Sequence, residues 1–545
     1  MMQWLRRYWT LLRADIQRGL LMRKSSREEL ESFHEGRHEA LVLTLDVGTT
    51  VVKAGLVDEQ GRVLRISSEE VKLHSPEPGA VEHNPRELWN CVVRNIKHVI
   101  RGYENSIHAI SISSYLFGLV VVDHEGKERT NIMTWMDTRC AEALEDVRRR
   151  ADVSELYRRT GCPPLHVYML PKIIWLKARR PEVFGGRYYL LNSKDYIISK
   201  LLGTPYTEFS TASATQMLNI HSLRWEPMAL ELADVDERVF PNLVDSDKIL
   251  DYVKDNVAKE LGLRDKLPLV PSVYDGAAFI VGLGGLKEDI AYTHLGSSAM
   301  VRVISRSPVL DKSESMRLQT YYLMRGRWVP GGAINNSGLT LLWARDSLCQ
   351  VEKELAELTG INVFEIMVKM AEKVPPGAEG LICIPFFTSE RLTSIRGRAG
   401  ALIWGLTLKH TKAHILRALI ESTAFLLKIF SLALEENGLE YKELRVGGGG
   451  AKSRLWLEII ANVLGKTVKR AEHIEMGLIG DAMIAYVALG YYKSYEEVFR
   501  SFKLTFEEIK PSTELIRRYE EIFDRFNKVL GVVERIYSKL EPSGG

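Results

Sequence analysis

Two aspartates in this chain stand where their type and setting could do chemistry. Asp46 ends the apolar run ALVLTLD and opens a Gly-Thr-Thr turn, and Asp275 sits in PSVYDGAAFIVGLGGL between an apolar approach and a helix of small residues. A carboxylate in the second setting can accept the proton of a hydroxyl, and carboxylates together can hold a hydrated magnesium ion that gathers phosphate oxygens. Phosphoryl transfer requires both services. An Asp-Gly pair is also an ordinary turn, so Asp275 takes its weight from Asp46. The expected roles are Asp275 as general base and metal ligand, and Asp46 as metal ligand.

The surroundings of Asp46 point the same way. ALVLTLDVGTTVVKAGLVDEQGRVL reads as two apolar strands joined by D-x-G-T-T, an antiparallel pair whose turn exposes backbone N–H groups and the hydroxyls of Thr49 and Thr50, a cradle for phosphate. The pattern returns in AYTHLGSSAMVRVI, where Gly296-Ser297-Ser298 stand for Gly48-Thr49-Thr50 and Arg302 lies near the place of Lys53. Glycine followed by two hydroxyls is common, yet recurrence at this separation predicts two related domains facing each other, each donating one phosphate-binding hairpin. A third glycine turn, LRVGGGGAKSRLWLEIIANVLG, is not a P-loop, because Ala451 separates Gly450 from Lys452-Ser453, and it lacks the G-x-G-x-x-G context of a dinucleotide fold. What remains is a strand, a side-chain-free turn at Gly449 and a helix opening near Ser453, where a flat ring can lie on bare backbone.

These turns need elements to hold them. Between the hairpins lie short apolar strands, HAISISSYLFGLVVVD and NIMTWMD, and helical stretches such as LPKIIWLKARRPEVF; a long helical run from Thr411 to Asn437 and a helical tail to about Leu540 follow. Strands mixed with long amphipathic helices predict an α/β fold. At roughly 100–200 residues per domain, 545 residues make three or four domain-sized units or two large ones. Hydrophobic residues are 46% and charged residues 26%, enough apolar material for large cores, so wholesale disorder is excluded. Net charge is only +3, with no general drive toward nucleic acid. Five scattered cysteines, Cys91, Cys140, Cys162, Cys349 and Cys383, make neither a disulfide framework nor a zinc ribbon and suit a reducing compartment. No apolar run reaches the roughly 18–20 residues of a membrane span, so a cytoplasmic protein is expected. Residues 1–39 differ: Trp9, Leu12, Ile16 and Leu20 form a helical stripe with the basic residues mostly off it. That is a basic amphipathic extension, suited to a membrane surface or a partner, or else an appended helix or an upstream start to a chain beginning near Met22.

The order of these motifs resembles the FGGY carbohydrate kinases, of the sugar kinase, Hsp70 and actin superfamily. The likeness runs from about residue 40 to 535 through LDVGTT, ISSYLFGLVVVD, MTWMDTR, VYDGAAFIVGLG, HLGSS, NNSGLTLLWARD, PFFTSERLTSIRGRAGALIWGLTLKHT and LRVGGGGAKSRLWLEIIANVLG. It implies two ribonuclease-H-like domains around a deep cleft: a sugar-binding domain at 40–285 and an ATP-binding domain at 286–535. By position, Asp46 resembles a carboxylate that helps hold magnesium, and Thr49, Thr50 and Lys53 line the phosphate side. Ser297 resembles the residue meeting the nucleotide phosphates, Gly338, Gly449 and Ser453 the adenosine contacts, and Asp275 the base that deprotonates the acceptor hydroxyl.

Within that family TGCPPLHVYMLPKIIWLK, STASATQMLNIHSLRW and Gly276 after Asp275 are most similar to gluconate kinases, with xylulose kinases next. One departure bears on substrate. Where many relatives carry Met-His, this chain has Leu116-Phe117 after Tyr115, so a sugar hydroxyl loses a polar partner. Alternation would put Tyr115 and Phe117 on one face of a strand, as substrate contacts or as core. Trp135 and Asp137, in W-x-D-x-R, approach the sugar in the family pattern; alternatively Trp135 is core and Asp137 pairs with Arg139. His166 and His221 read as structural hydrogen bonders, and Glu390 and Arg391 as an element near the domain interface. The expectation is an ATP- and magnesium-dependent kinase acting on a small sugar acid or sugar, D-gluconate foremost, with a homodimer left open. A xylulose or other polyol kinase is the alternative, and an ATP-dependent clamp without catalysis the alternative of another class.

Overall fold

The computed structural model describes residues 40–392, 400–473 and 475–539. The basic extension 1–39 and residues 393–399, inside the stretch after Arg391, lie outside the described residues. The apolar run before Asp46 becomes β1 (Leu41–Val47), buried throughout except at Asp46, and the return run becomes β2 (Val51–Val57). They pair antiparallel with Asp46 opposite Lys53. β3 (Val63–Glu70) extends the sheet on one side, its alternating burial showing one wet face. α1 (Pro85–Val99), capped by the Asn84 side chain accepting from the Arg86 and Glu87 N–H groups, packs Leu88, Val92 and Ile96 into the same apolar cluster as these strands. β4 (Ile107–Ser114) runs parallel to β1, and β5 (Asp251–Tyr252) and β6 (Pro268–Val270) complete the order β5-β6-β4-β1-β2-β3. α2 (Asp275–Gly284) follows β6.

A second sheet repeats the plan. β7 (Ile290–His294), β8 (Ala299–Val303), β9 (Gln319–Tyr322) and β10 (Trp328–Ile334) precede α3 (Gly338–Ser347) and α4 (Lys412–Glu436). Then come β11 (Glu443–Gly447), α5 (Arg454–Leu464), β12 (Thr467–Ala471), α6 (Met476–Ala488), β13 (Phe506–Ile509) and α7 (Thr513–Lys539). The order is β9-β10-β8-β7-β11-β12-β13. Read from β3 and from β10, both sheets run antiparallel, antiparallel, parallel, parallel, antiparallel, with the strand before each Gly-hydroxyl turn at the centre. The recurrence of D-V-G-T-T as H-L-G-S-S is thus a repeat of architecture. Among the described residues no helix is long and apolar enough to cross a membrane, and all five cysteines are free and buried.

The halves interlock through α2 and α6. α2, grown from the first sheet, packs on the second: the Arg445 guanidinium donates to Leu283 O at 2.7 Å. α6, grown from the second, packs on the first: the Ser111 hydroxyl donates to Asp481 O at 2.8 Å and the Tyr486 hydroxyl to Val57 O at 2.9 Å. The two helices cross so closely that a Cβ on Gly282 would lie 2.0 Å from Met476 O, and one on Gly480 1.8 Å from Ala278 O. Only glycine permits that approach. The expected strand through residues 108–123 is interrupted. β4 stops at Ser114 and pairing resumes only at Leu119, because Phe117 adopts a left-handed φ of 70°.

Candidate active site

Asp46 is one residue from the end of β1 and Asp275 is the first residue of α2, so the strand–turn and loop–helix junctions read from sequence present the two carboxylates to one place. Burial pushes Asp46 up to about 6, Glu475 adding to the rise while Lys53 opposes it. Burial, then the charge of Asp46, pushes Asp275 up to about 7 against the Gly276 N–H, Arg391 and Lys194. Asp46 raises Asp275, and Lys53, Arg391 and Lys194 do not bring either carboxyl back to its ordinary range, so the pair has room for further counter-charge. A divalent cation would supply it, and the site fits magnesium. Among the described residues no group of three or more His, Cys, Asp or Glu is gathered for a metal, and magnesium needs only one or two carboxylates beside substrate phosphates. A carboxyl near 7 is also matched to accepting a hydroxyl proton. Asp481, behind the pair, is held up by burial and fixed by the Ser272 and Ser113 hydroxyls at 2.6 and 2.7 Å.

The hairpin residues divide between facing outward and holding the scaffold. Thr50 and Ser297 are exposed at the two turns. Thr49 is anchored: its hydroxyl accepts from the Trp135 indole at 3.0 Å and its carbonyl from His83 Nε2 at 2.9 Å. Lys53 reaches across to Glu475, just before α6, at 2.6 Å. Gly338 opens α3, and its N–H donates to Gly296 O at 2.9 Å while the Leu339 N–H donates to Ser297 O. Its amide therefore holds the second hairpin rather than facing outward. A Cβ on Gly449 would meet nothing within 4 Å, leaving the bare face that the glycine turn predicted. Ser453 is the N-cap of α5, accepting from the Trp456 N–H at 3.3 Å. Arg302 does not take the place of Lys53: it is buried in β8, donating to Gln319 O and Val329 O. Its position in β8 turns it away from the hairpin mouth.

On the other side of Asp275 the expected sugar contacts separate. Tyr115 and Phe117 do not share a strand face, since the chain has left β4. Tyr115 is buried with its hydroxyl donating to His83 Nδ1 at 2.8 Å, behind Thr49. Phe117 packs edge-on to Tyr168 and Tyr321, and its carbonyl accepts from buried Lys172, which also donates to Thr134 O. Those bonds hold the left-handed turn. Asp137 is fully buried, its oxygens taken by Arg139 and the Val81 N–H, so it secures the Trp135 loop and is not presented to a ligand. Trp135 bonds Thr49 and carries the Arg391 guanidinium over its ring at 5.4 Å, while the same guanidinium lies 5.5 Å from Phe117. His221 bonds the Arg158 carbonyl on the surface, whereas burial pushes His166 down to about 4. Glu390 accepts from the Asn335 and Asn336 N–H groups.

Arg391, His83, Glu475 and Asp481 thus belong to the site although sequence reasoning gave them no role in it. For Arg391 the signal was a charged pair, Glu390-Arg391, inside an otherwise apolar and hydroxyl-rich stretch. The others lie in ordinary polar contexts.

Residues 41–282 match the FGGY family of carbohydrate kinases, N-terminal domain, and residues 291–489 match its C-terminal domain. The chain is 29% identical over 460 residues to a gluconokinase of Bacillus subtilis, covering 84% of this chain and 89% of that protein. It is 28% identical over 483 residues to a xylulose kinase of Staphylococcus epidermidis, covering 87% and 92%. The structure is similar to that of a gluconate kinase from Lactobacillus acidophilus, with TM-score 0.84 at 25% identity over 92% of this chain and 99% of that one. Paired carboxylates between two repeated hairpins, on two actin-like α/β domains, are thus matched along most of the chain by one family, and this protein belongs to the FGGY carbohydrate kinases, phosphotransferases acting on a sugar hydroxyl.

Proposed function

We propose that this kinase transfers the γ-phosphate of ATP to a hydroxyl of a sugar acid, D-gluconate foremost, in the cytoplasm, with residues 40–285 holding the sugar and residues 286–535 the nucleotide. The observation that carries the sugar-acid reading is Arg391. Its guanidinium lies over both Phe117 and Trp135, its Nε donates to Asn335 Oδ1 at 2.9 Å, and among the described residues it forms no ion pair. The adjacent Glu390 is occupied by Asn335 and Asn336. A cation among aromatic rings, close enough to lower Asp275, suits a substrate that brings a carboxylate as well as a hydroxyl. The likeness to gluconokinases supports the same choice.

In this reading Asp275 takes the proton from the acceptor hydroxyl as its oxygen attacks the γ-phosphorus and ADP leaves. Magnesium, when bound by Asp46 and Asp275, neutralises the phosphate oxygens. Thr49, Thr50, Lys53 and Ser297 hold the phosphates, and the Gly449 turn receives the base. Closing of the two halves excludes water.

The test is ADP release from ATP and magnesium across gluconate, xylulose, ribulose and glycerol, with wild type and Arg391→Met. Gluconate is expected to dominate, and Arg391→Met to raise its KM at least about tenfold, the worth of one charge-assisted bond, with little change for neutral polyols. Dominance of a pentulose insensitive to Arg391 overturns the sugar-acid reading in favour of a xylulose kinase. Absence of any sugar-dependent ADP release points to a nucleotide clamp.

A further inference from the structure

The architectural repeat places a particular residue opposite Asp46. Asp46 immediately precedes Val47, whose strand closes on Val52 around the first turn; His294 immediately precedes Leu295, which bridges to Ala299 around the second. D-V-G-T-T and H-L-G-S-S therefore put a carboxylate and an imidazole at equivalent points of two hairpins that face one another. We propose that His294 is a ligand of the nucleotide polyphosphate, donating an imidazole N–H to an oxygen of the phosphates beyond the first. This rests on the kinase reading above.

The surroundings of the ring argue for that role. His294 lies in register with Gly447 on the neighbouring parallel strand, at the strand ends where both glycine turns begin. A Cβ on Gly296 would sit 2.6 Å from its Cε1, and a Cβ on Gly448 3.0 Å from its Cδ2 and Nε2, so the imidazole occupies the space that two glycines leave. The Phe279 ring, one turn along α2 from Asp275, meets it edge-on at 4.9 Å and 88° and fixes its plane. The ring is half-buried, and Lys53 across the site is close enough to act on its charge. Among the described residues neither ring nitrogen has a hydrogen-bond partner. Burial, aided by Lys53, keeps the ring neutral, down to about 4, so it carries one N–H donor. A donor held between a phosphate hairpin and a nucleotide turn, opposite a lysine, has the geometry to bond an anionic oxygen. A histidine buried only for packing would place its N–H on a protein acceptor.

The test is the dissociation constant of AMP, ADP and the β,γ-methylene analogue of ATP, each with magnesium, for wild type, His294→Leu, His294→Ala and His294→Gln in the full chain. Leu and Ala both remove the donor, Leu keeping bulk and Ala relieving it if Leu crowds Gly296 and Gly448; Gln keeps an N–H. Loss of the donor is expected to weaken ADP and the analogue about tenfold and leave AMP unchanged, with Gln recovering most of the loss. Unchanged ADP affinity, or equal losses for AMP and ADP, overturns the proposal and leaves the ring a packing group. Failure of wild type to bind any adenine nucleotide overturns the kinase reading, and this inference with it.

Discussion

Asp275 and Asp46 keep their protons in the folded protein to about pH 7 and 6, well above the ordinary 3.8. Between about pH 4 and those values the folded chain binds more protons than the unfolded one, so stability falls as pH rises through the window, by about 1.4 kcal/mol per unit of displacement. Asp275→Asn removes the buried charge. In metal-free buffer its thermal midpoint is therefore expected to exceed that of wild type at pH 8, with the gap narrowing by pH 5, while turnover drops about 10²- to 10⁴-fold. A gap that does not change with pH would show that ionisation of Asp275 is not what costs stability. The two carboxylates were legible in sequence because each lies in a local turn pattern and the two patterns together have one chemical meaning. Asp137 was not: whether a buried carboxylate faces a ligand or an arginine depends on Arg139, Glu82 and the Val81 N–H meeting in space. Arg391 was invisible as a site residue for the same reason, since its aromatic neighbours, Phe117 and Trp135, come from the other half of the chain.

At the scale of elements, the site is aimed by the α2–α6 crossing. Because Gly480 leaves less than 2 Å for a Cβ against Ala278 O, Gly480→Ala must push α2 aside, and Asp275 moves with it. Overpacking of this kind costs about 1–3 kcal/mol. The expected outcome is a lowered unfolding midpoint in a denaturant titration together with a loss of turnover larger than the loss of nucleotide affinity; equal losses would show that the crossing does not aim Asp275. Helices with clear period and caps were legible from composition alone: the run expected from Thr411 to Asn437 is α4, with those two residues as its caps. The break after Ser114 was not, because nothing in ISISSYLFGLVVVD except Gly118 signals a turn. What ends β4 is Lys172, from 55 residues downstream, bonded to the carbonyl of a left-handed Phe117.

At the scale of the whole molecule, the halves meet through bonds of very long sequence separation, of which Lys53 to Glu475 spans 422 residues at 2.6 Å. Both side chains are partly exposed, so the pair is worth about 0.5–1 kcal/mol at low salt and less at high salt. A double-mutant cycle of Lys53→Met and Glu475→Gln, read by chemical denaturation, is expected to give that coupling without nucleotide and to lose it when ADP and magnesium draw Lys53 onto phosphate. Coupling that persists with nucleotide bound would show that Lys53 stays on Glu475. The chain by itself determined the α/β class, the repeated hairpins, the two chemical carboxylates and the family, because strand period, turn composition and motif order are local properties written in consecutive residues. The tertiary structure alone decided which polar groups are spent on the protein and which are left for a ligand. It turned Asp137, Tyr115 and Arg302 inward, brought Arg391 over Phe117, and left His294 without a partner opposite Lys53. Hydrogen bonding and burial are settled by neighbours that folding brings together from separate elements, and no local pattern carries that information.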